Sequence, residues 1–160
     1  MKERLIGLIK TYILFVCIFI LQKPLFILYY SSLYAGTSWT DPFKIIWNGL
    51  PLDLSLAGYL TAIPGLFFIA SAWTLSKALG YYFFIAILLA VIFIVDIGLY
   101  EYWGFRLDAT PLFYFFSSPK DALASISIWQ VLGGIVAMIL YASLLYVLFL
   151  WIQKGIWKRM

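Results

Sequence analysis

Four apolar runs, each long enough to cross a bilayer, constrain this chain more than any other feature. They cover roughly residues 5–34, 52–75, 79–100 and 128–152. A spanning helix needs about 20 predominantly apolar residues. In hydrocarbon no water satisfies the backbone, so each run must close its hydrogen bonds within itself as a helix. Of the 160 residues, 65% are hydrophobic and 11% charged. A soluble fold of that composition would expose large apolar patches. The pattern predicts an all-α, polytopic membrane helix bundle: one domain of four transmembrane helices, with an aromatic interfacial connector.

Polar interruptions set the expected boundaries. The first run contains Lys10, close enough to its start to snorkel, and then Gln22-Lys23-Pro24. Either the span stops at Leu21 or one long helix bends near Pro24; the long helix is the preferred reading. Lys23 then lies within the span and is expected to face a carboxylate. Residues 35–48 read as a connector: Gly36, Thr37, Ser38 and Asp41-Pro42 are turn residues, and Phe43, Ile45, Ile46 and Trp47 suit a short interfacial turn. Pro51 is placed in the first turn of the second span, with Asp53 at the positive end of its dipole. Pro64-Gly65 falls mid-span. Ser76-Lys77 reads as a tight polar break before the third span. Asp121 is read as a cap or a solvated charge ahead of the fourth span. Gly133, Gly134 and Ser143 are small enough to permit close helix contact within it.

The stretch Asp96–Ser118 places Asp96, Glu101, Arg106 and Asp108 among aromatic residues. Tyr and Trp favour the headgroup level, so the stretch is read as an interfacial segment between two spans. Asp53 and Asp96 are expected at similar depth, with Lys23 and Arg106 in reach of either. The candidate site is therefore Lys23, Asp53, Asp96, Glu101, Arg106 and Asp108. Two readings stay open: a structural ion-pair cluster, or a lipid headgroup pocket in which Arg106 holds a phosphate. Phe113-Tyr114-Phe115-Phe116 reads as an interface anchor ahead of a ligand cage.

Several chemistries are disfavoured. The chain has no histidine, which removes imidazole-ligated haem, His-based zinc sites and the Ser-His-Asp arrangement. Cys17 alone forms no internal disulfide and reads as a small buried or lipid-facing hydrophobe. The acids match no metal-binding loop, and no carboxylate lies deep in mid-membrane for a proton path. No catalytic residue, metal or cofactor is assigned. The formal charge of +4 sits mainly at the two ends, beside apolar runs. Membrane lipids are the expected partner and nucleic acid is not.

The run Gly49-Leu50-Pro51-Leu52-Asp53-Leu54-Ser55, followed by Ala57-Gly58-Tyr59-Leu60 and Ile63-Pro64, resembles the second-span region of the lipoteichoic acid synthase family. That family includes the phosphoglycerol and phosphoethanolamine transferases of bacterial envelopes. Asp96–Asp108, with Tyr100, Tyr102 and Trp103-Gly104-Phe105-Arg106, resembles the segment after its third span, and Lys23 the lysine of its first. The likeness covers nearly the whole chain and is greatest to versions from Bacteroides-type bacteria. It implies a membrane domain in a bacterial cytoplasmic membrane, followed by an extracytoplasmic sulfatase-like catalytic domain of the alkaline phosphatase superfamily. There a threonine and a divalent metal, usually manganese, transfer a phospho-alcohol from a lipid donor. Five spans are implied, and four are visible here. The catalytic domain is expected to lie outside these 160 residues, so no catalytic residue carries over; Thr110 lacks the surrounding ligands. A free-standing four-span structural or assembly protein is the alternative, and a small transporter or lipid-carrier subunit a third.

Orientation follows from the cation bias. With the N-terminus inside, Lys2, Arg4, Lys10, Lys77, Lys154, Lys158 and Arg159 fall inside, and Lys23, Lys44, Arg106 and Lys120 outside. Both ends of the chain are thus expected in the cytoplasm. Reporter fusions at residues 1 and 160 should be active as cytoplasmic fluorescent proteins and inactive as periplasmic phosphatases. The reverse pattern at either end would refute the orientation.

Overall fold

The computed structural model describes residues 2–32, 36, 38, 40–69, 74–108, 110–118 and 127–157. Among them the regular elements are helices: α1 (Lys2–Tyr29), α2 (Asp41–Ile69), α3 (Leu75–Trp103), α4 (Thr110–Ser117) and α5 (Ile128–Trp157). All but α4 are long and apolar enough to cross a membrane. They have 28, 29, 29 and 30 residues. At a rise of 1.5 Å that is about 42–45 Å each, the thickness of a bilayer with its headgroups.

The helix ends depart from the sequence expectations wherever local capping overrides hydropathy. α1 runs unbroken through Pro24 but stops at Tyr29 rather than near residue 34. Its last turn tightens as Ser31 N–H donates to Leu28 O at 3.3 Å. α2 starts eleven residues before the expected position 52. Ser38 and Asp41 close a turn on each other, Asp41 N–H to Ser38 O at 2.9 Å and Ser38 N–H to the Asp41 carboxylate at 3.1 Å. Pro42 then occupies the first turn, where its missing N–H costs nothing. Phe43–Trp47, expected as a separate interfacial turn, is therefore part of α2. Pro51 sits in the helix interior, and Asp53 is twelve residues from the N-terminal end, beyond the reach of the helix dipole.

α3 likewise begins early, at Leu75. Thr74 caps it, its carbonyl accepting from Ala78 N–H at 2.9 Å and its hydroxyl from Lys77 N–H at 3.4 Å. Ser76 and Lys77 thus lie in the first turn of α3 rather than forming the break. Lys77 Nζ lies 5.4 Å from the centre of the Phe67 ring. α3 continues to Trp103, which puts Asp96 two turns from its end instead of one. Gly104 stops it with φ +71°, the left-handed conformation that glycine adopts without strain. α5 starts where hydropathy places it, at Ile128. The Ser127 hydroxyl accepts from Trp129 N–H at 3.3 Å, while Gln130 Oε1 accepts from Ser127 N–H at 2.9 Å. That is a Ser-x-x-Gln capping box. Asp121, read as a possible cap, lies outside the described residues.

Packing divides the chain into two compact units: residues 1–79 with 150–160, and residues 80–149. Helices as long as α3 and α5 contribute to both. In the first unit α1 and α2 run antiparallel. Leu8 meets Gly65, Tyr12 OH donates to Leu54 O at 3.3 Å, and Lys23 meets Gly49. Leu14, Phe15, Ile18, Phe19, Phe26, Ala57 and Phe68 are buried there, with Thr11 and Gln153 hydrogen-bonded at 3.4 Å. In the second unit α3 and α5 are antiparallel, with ring contacts between Tyr82 and Phe149, Phe83 and Tyr146, and Phe93 and Tyr141. The buried stripe of α3 is Tyr82, Ile85, Ala86, Leu89, Ala90 and Phe93. On α5 it is the later residues Leu145 and Phe149 that are buried. Gly133 and Gly134 therefore mediate no close contact among the described residues: a Cβ on either would meet nothing within 4 Å.

Tyr102 OH also donates to Gln130 Oε1, at 2.8 Å, so the α5 cap is tied to the last turn of α3. Gln130→Ala removes both bonds and should cost about 1 kcal/mol. Amide exchange at Ile128–Val131 should accelerate several-fold, measured by mass spectrometry in detergent. Unchanged exchange there would refute the capping role.

Candidate functional site

Helical periodicity places Lys23 on a buried stripe. On α1, Phe15, Phe19, Lys23 and Phe26 follow one another at spacings of three and four, and the three rings are buried. On α2, Gly49, Asp53, Ala57, Pro64 and Phe68 share a face at spacings of four and seven, and all but Gly49 are buried. The two stripes face each other, so the one cation meets the one carboxylate. Lys23 Nζ donates to Asp53 Oδ2 in a salt bridge. Gly49, one turn before Asp53, makes room for it. A Cβ there would fall 2.5 Å from Lys23 Nζ and 2.7 Å from its Cε. The ammonium thus lies over bare helix backbone on its way to the carboxylate. The two side chains are 14% and 10% exposed, so the pair is sealed.

The second pair is built differently. Asp96 continues the buried stripe of α3, three residues after Phe93. Its partners come from the chain just beyond the same helix. Gly104 turns the backbone, and residues 105–107 fold back along α3. Arg106 Nε donates to Asp96 Oδ2 and Leu107 N–H to Asp96 Oδ1, both at 2.7 Å. Both carboxylate oxygens are occupied, which is how a buried carboxylate avoids the cost of isolation. Asp96 is 5% exposed, but Arg106 is 52% exposed. This pair is more exposed on its cationic side than the first.

The remaining candidates serve other ends. Asp108 accepts from Thr110 N–H at 2.8 Å and from its hydroxyl at 3.0 Å, and so caps the start of α4. Glu101 is exposed, with no hydrogen bond or ion pair among the described residues. Lys23 and Arg106 each take a buried acid of their own unit: Lys23 meets Asp53, and Arg106 meets Asp96. Lys44, not among the candidates, pairs with Asp41 at 2.9 Å in an exposed i,i+3 bridge. Cys17 is exposed on α1, in keeping with a lipid-facing hydrophobe.

Sequence reasoning overlooked three polar contacts: the Gln130–Tyr102 bond, the buried Thr11–Gln153 pair, and the Gly49 slot. Only the capping half of Gln130's role had a readable signal, since Ser127-Ile128-Trp129-Gln130 fits the capping-box pattern before an apolar run. The second had none, because Thr11 and Gln153 lie 142 residues apart. Gly49 was legible only as part of a motif. Chemically, both buried carboxylates are spent on cations. Among the described residues no group of three or more metal-ligating side chains comes together. The arrangement can neutralise charge inside a membrane and hold helices in register. No protein-family model, no curated protein and no solved structure matches the chain.

Lys23→Met leaves Asp53 buried without its cation and should destabilise the chain by about 3–5 kcal/mol. Removing both charges, Lys23→Met with Asp53→Leu, should recover most of that loss. Thermal unfolding in a single detergent reads both. A double variant no more stable than the single one would refute the burial argument. Gly49→Val should act in the direction of Lys23→Met, by displacing the ammonium.

Proposed function

We propose that the chain is the membrane-anchoring domain of an extracytoplasmic, sulfatase-like phosphoglycerol or phosphoethanolamine transferase of a bacterial cytoplasmic membrane, with both ends of the chain in the cytoplasm. One observation carries the reading. Among the residues that carry the resemblance, Lys23, Asp53, Asp96 and Arg106 make the two buried-carboxylate charge pairs, and Gly49 leaves room for the first. A motif that serves to seat charges inside helices belongs to a scaffold rather than to a reaction centre. The anchor holds the catalytic domain against the far leaflet, where its lipid-linked substrates lie. The catalytic threonine and its manganese belong to that domain.

The second reading is a free-standing four-span structural or assembly protein. It is favoured by the broad exposed apolar face of α5, which includes Ile135, Ile139, Leu140, Leu144, Val147 and Trp151. Reading the gene beyond the codon for Met160 separates the two. The anchor requires a fifth span and then a sulfatase-like domain. A frame that terminates there favours the second reading. Where the frame continues, the full-length protein in proteoliposomes should release diacylglycerol from a phospholipid donor in a manganese-dependent reaction. No release with any phospholipid tested would refute the transferase.

A further inference from the structure

One face of α2 is buried, along Asp53, Ala57, Pro64 and Phe68. With about 3.6 residues per turn, the opposite side carries Ser55, Tyr59, Ala62 and Leu66, at spacings of four, three and four. All four are exposed, Tyr59 by 76% and Leu66 by 67%. A Cβ added at Gly58, beside Tyr59, would meet nothing within 4 Å.

Tyr59 is the member of this face that lipid alone does not satisfy. It lies ten residues before Ile69, the nearer end of α2. Ten residues of helix rise about 15 Å, which places the ring within the hydrocarbon and not at the headgroup level. Side chains on a helix lean toward its N-terminus, so the hydroxyl points away from that nearer end and toward the level of Ser55. Among the described residues the hydroxyl makes no hydrogen bond. Tyr12, by contrast, donates across to Leu54 O at 3.3 Å. A hydroxyl without an acceptor in hydrocarbon is costly. Ser55 supplies the complement. Its own proton goes to Pro51 O at 2.9 Å, which leaves the lone pairs of its Oγ to accept. The face thus carries one spare donor and one spare acceptor, a turn apart.

We propose that this face of α2 docks on the same face of a second copy of the chain, with Tyr59 OH of each copy donating to Ser55 Oγ of the other. Copies in one membrane share an orientation, so a two-fold axis along the membrane normal sets the two α2 helices parallel. Such an axis brings residue i against j and j against i. A face with one donor and one acceptor then completes itself twice. The spacing of Ser55, Tyr59, Ala62 and Leu66 is that of a heptad seam, which suits a parallel, left-handed helix pair. Ser55 and Ala62, seven residues apart on that seam, are small enough to let the backbones approach. An acyl chain has no acceptor to offer at this depth, and a second copy needs no residue beyond those already on the face. The inference requires only that α2 crosses a bilayer. It stands apart from the transferase reading, and either can fail alone.

The test uses the full chain in two arms. In the first, protein with a dye at its N-terminus is reconstituted in phosphatidylcholine liposomes over a range of protein-to-lipid ratios, and copies are counted by single-molecule photobleaching. Monomers should convert to dimers as density rises, with no larger assembly. Tyr59→Phe and Ser55→Ala should each raise the dissociation constant about tenfold, and the double variant no further, since both changes remove the same bonds. In the second arm, single cysteines are oxidised in the membranes of the expressing cells, in a Cys17→Ala background. Ala62→Cys should link one copy of the chain to another. Leu56→Cys, exposed on the same helix but about a quarter turn off the seam, should not. This arm leaves Tyr59 and Ser55 intact, so it reads the interface even where a variant of either fails to fold. Monomers at every density, an unchanged dissociation constant in Tyr59→Phe, or cross-linking as strong at Leu56→Cys as at Ala62→Cys overturns the proposal. A cross-link from Ala62→Cys to a different membrane protein gives the face to another occupant and overturns it as well.

Discussion

Hydrocarbon offers no water to a polar group, and the polar contacts within the long helices of this protein meet that constraint. Hydroxyls on the long helices bond back to their own backbone, as Ser55 does to Pro51 O, Thr61 to Ala57 O and Ser143 to Ile139 O. Both ends of α3 and the start of α5 are closed by caps. The charges that remain are the demanding case, because an unpaired ion within a span is far costlier than a hydroxyl. The Lys23–Asp53 bridge is where that demand is met most completely, and the facing stripes of α1 and α2 are arranged about it.

That bridge depends on an absence as much as on a contact. Without a side chain at Gly49, the lysine can lie along α2 and reach its carboxylate one turn further on. The Asp96 pair solves the same problem with local chain: a glycine turn, a guanidinium and a backbone N–H, all supplied within eleven residues. The first solution fastens one helix to another. The second folds the end of a helix back on itself and thereby sets the depth of α4. One device gives register and the other gives placement.

The spans and their helical nature were legible in the sequence, since hydropathy alone decides both. Their ends were not. Sequence places residues 35–48 in a connector because Asp41-Pro42 suits a turn, and Pro51 in the first turn of a helix because its missing N–H is harmless there. In the structure Asp41-Pro42 starts a helix that then absorbs Pro51, which removes one N–H donor from the helical ladder. Polarity makes Ser76-Lys77 look like a break, although Thr74 just before it is the better cap. Gly133-Gly134 fits a close-packing motif, but the buried residues of α5 lie further along, at Leu145 and Phe149.

Residue chemistry was enough to establish that long apolar helices must form and that Lys23 and Arg106 need carboxylates. Both conclusions rest on transfer free energies, which depend on composition and span length and not on neighbours. Which acid each cation meets, how far each is sealed, and where Arg106 lies along α3 came from packing. Those depend on which stripe faces which, and on a backbone turn at Gly104 that carries the chain back along its own helix. A difference of a few ångströms there turns an enclosed bridge into one with a half-exposed cation, and no local pattern of residues encodes that distance.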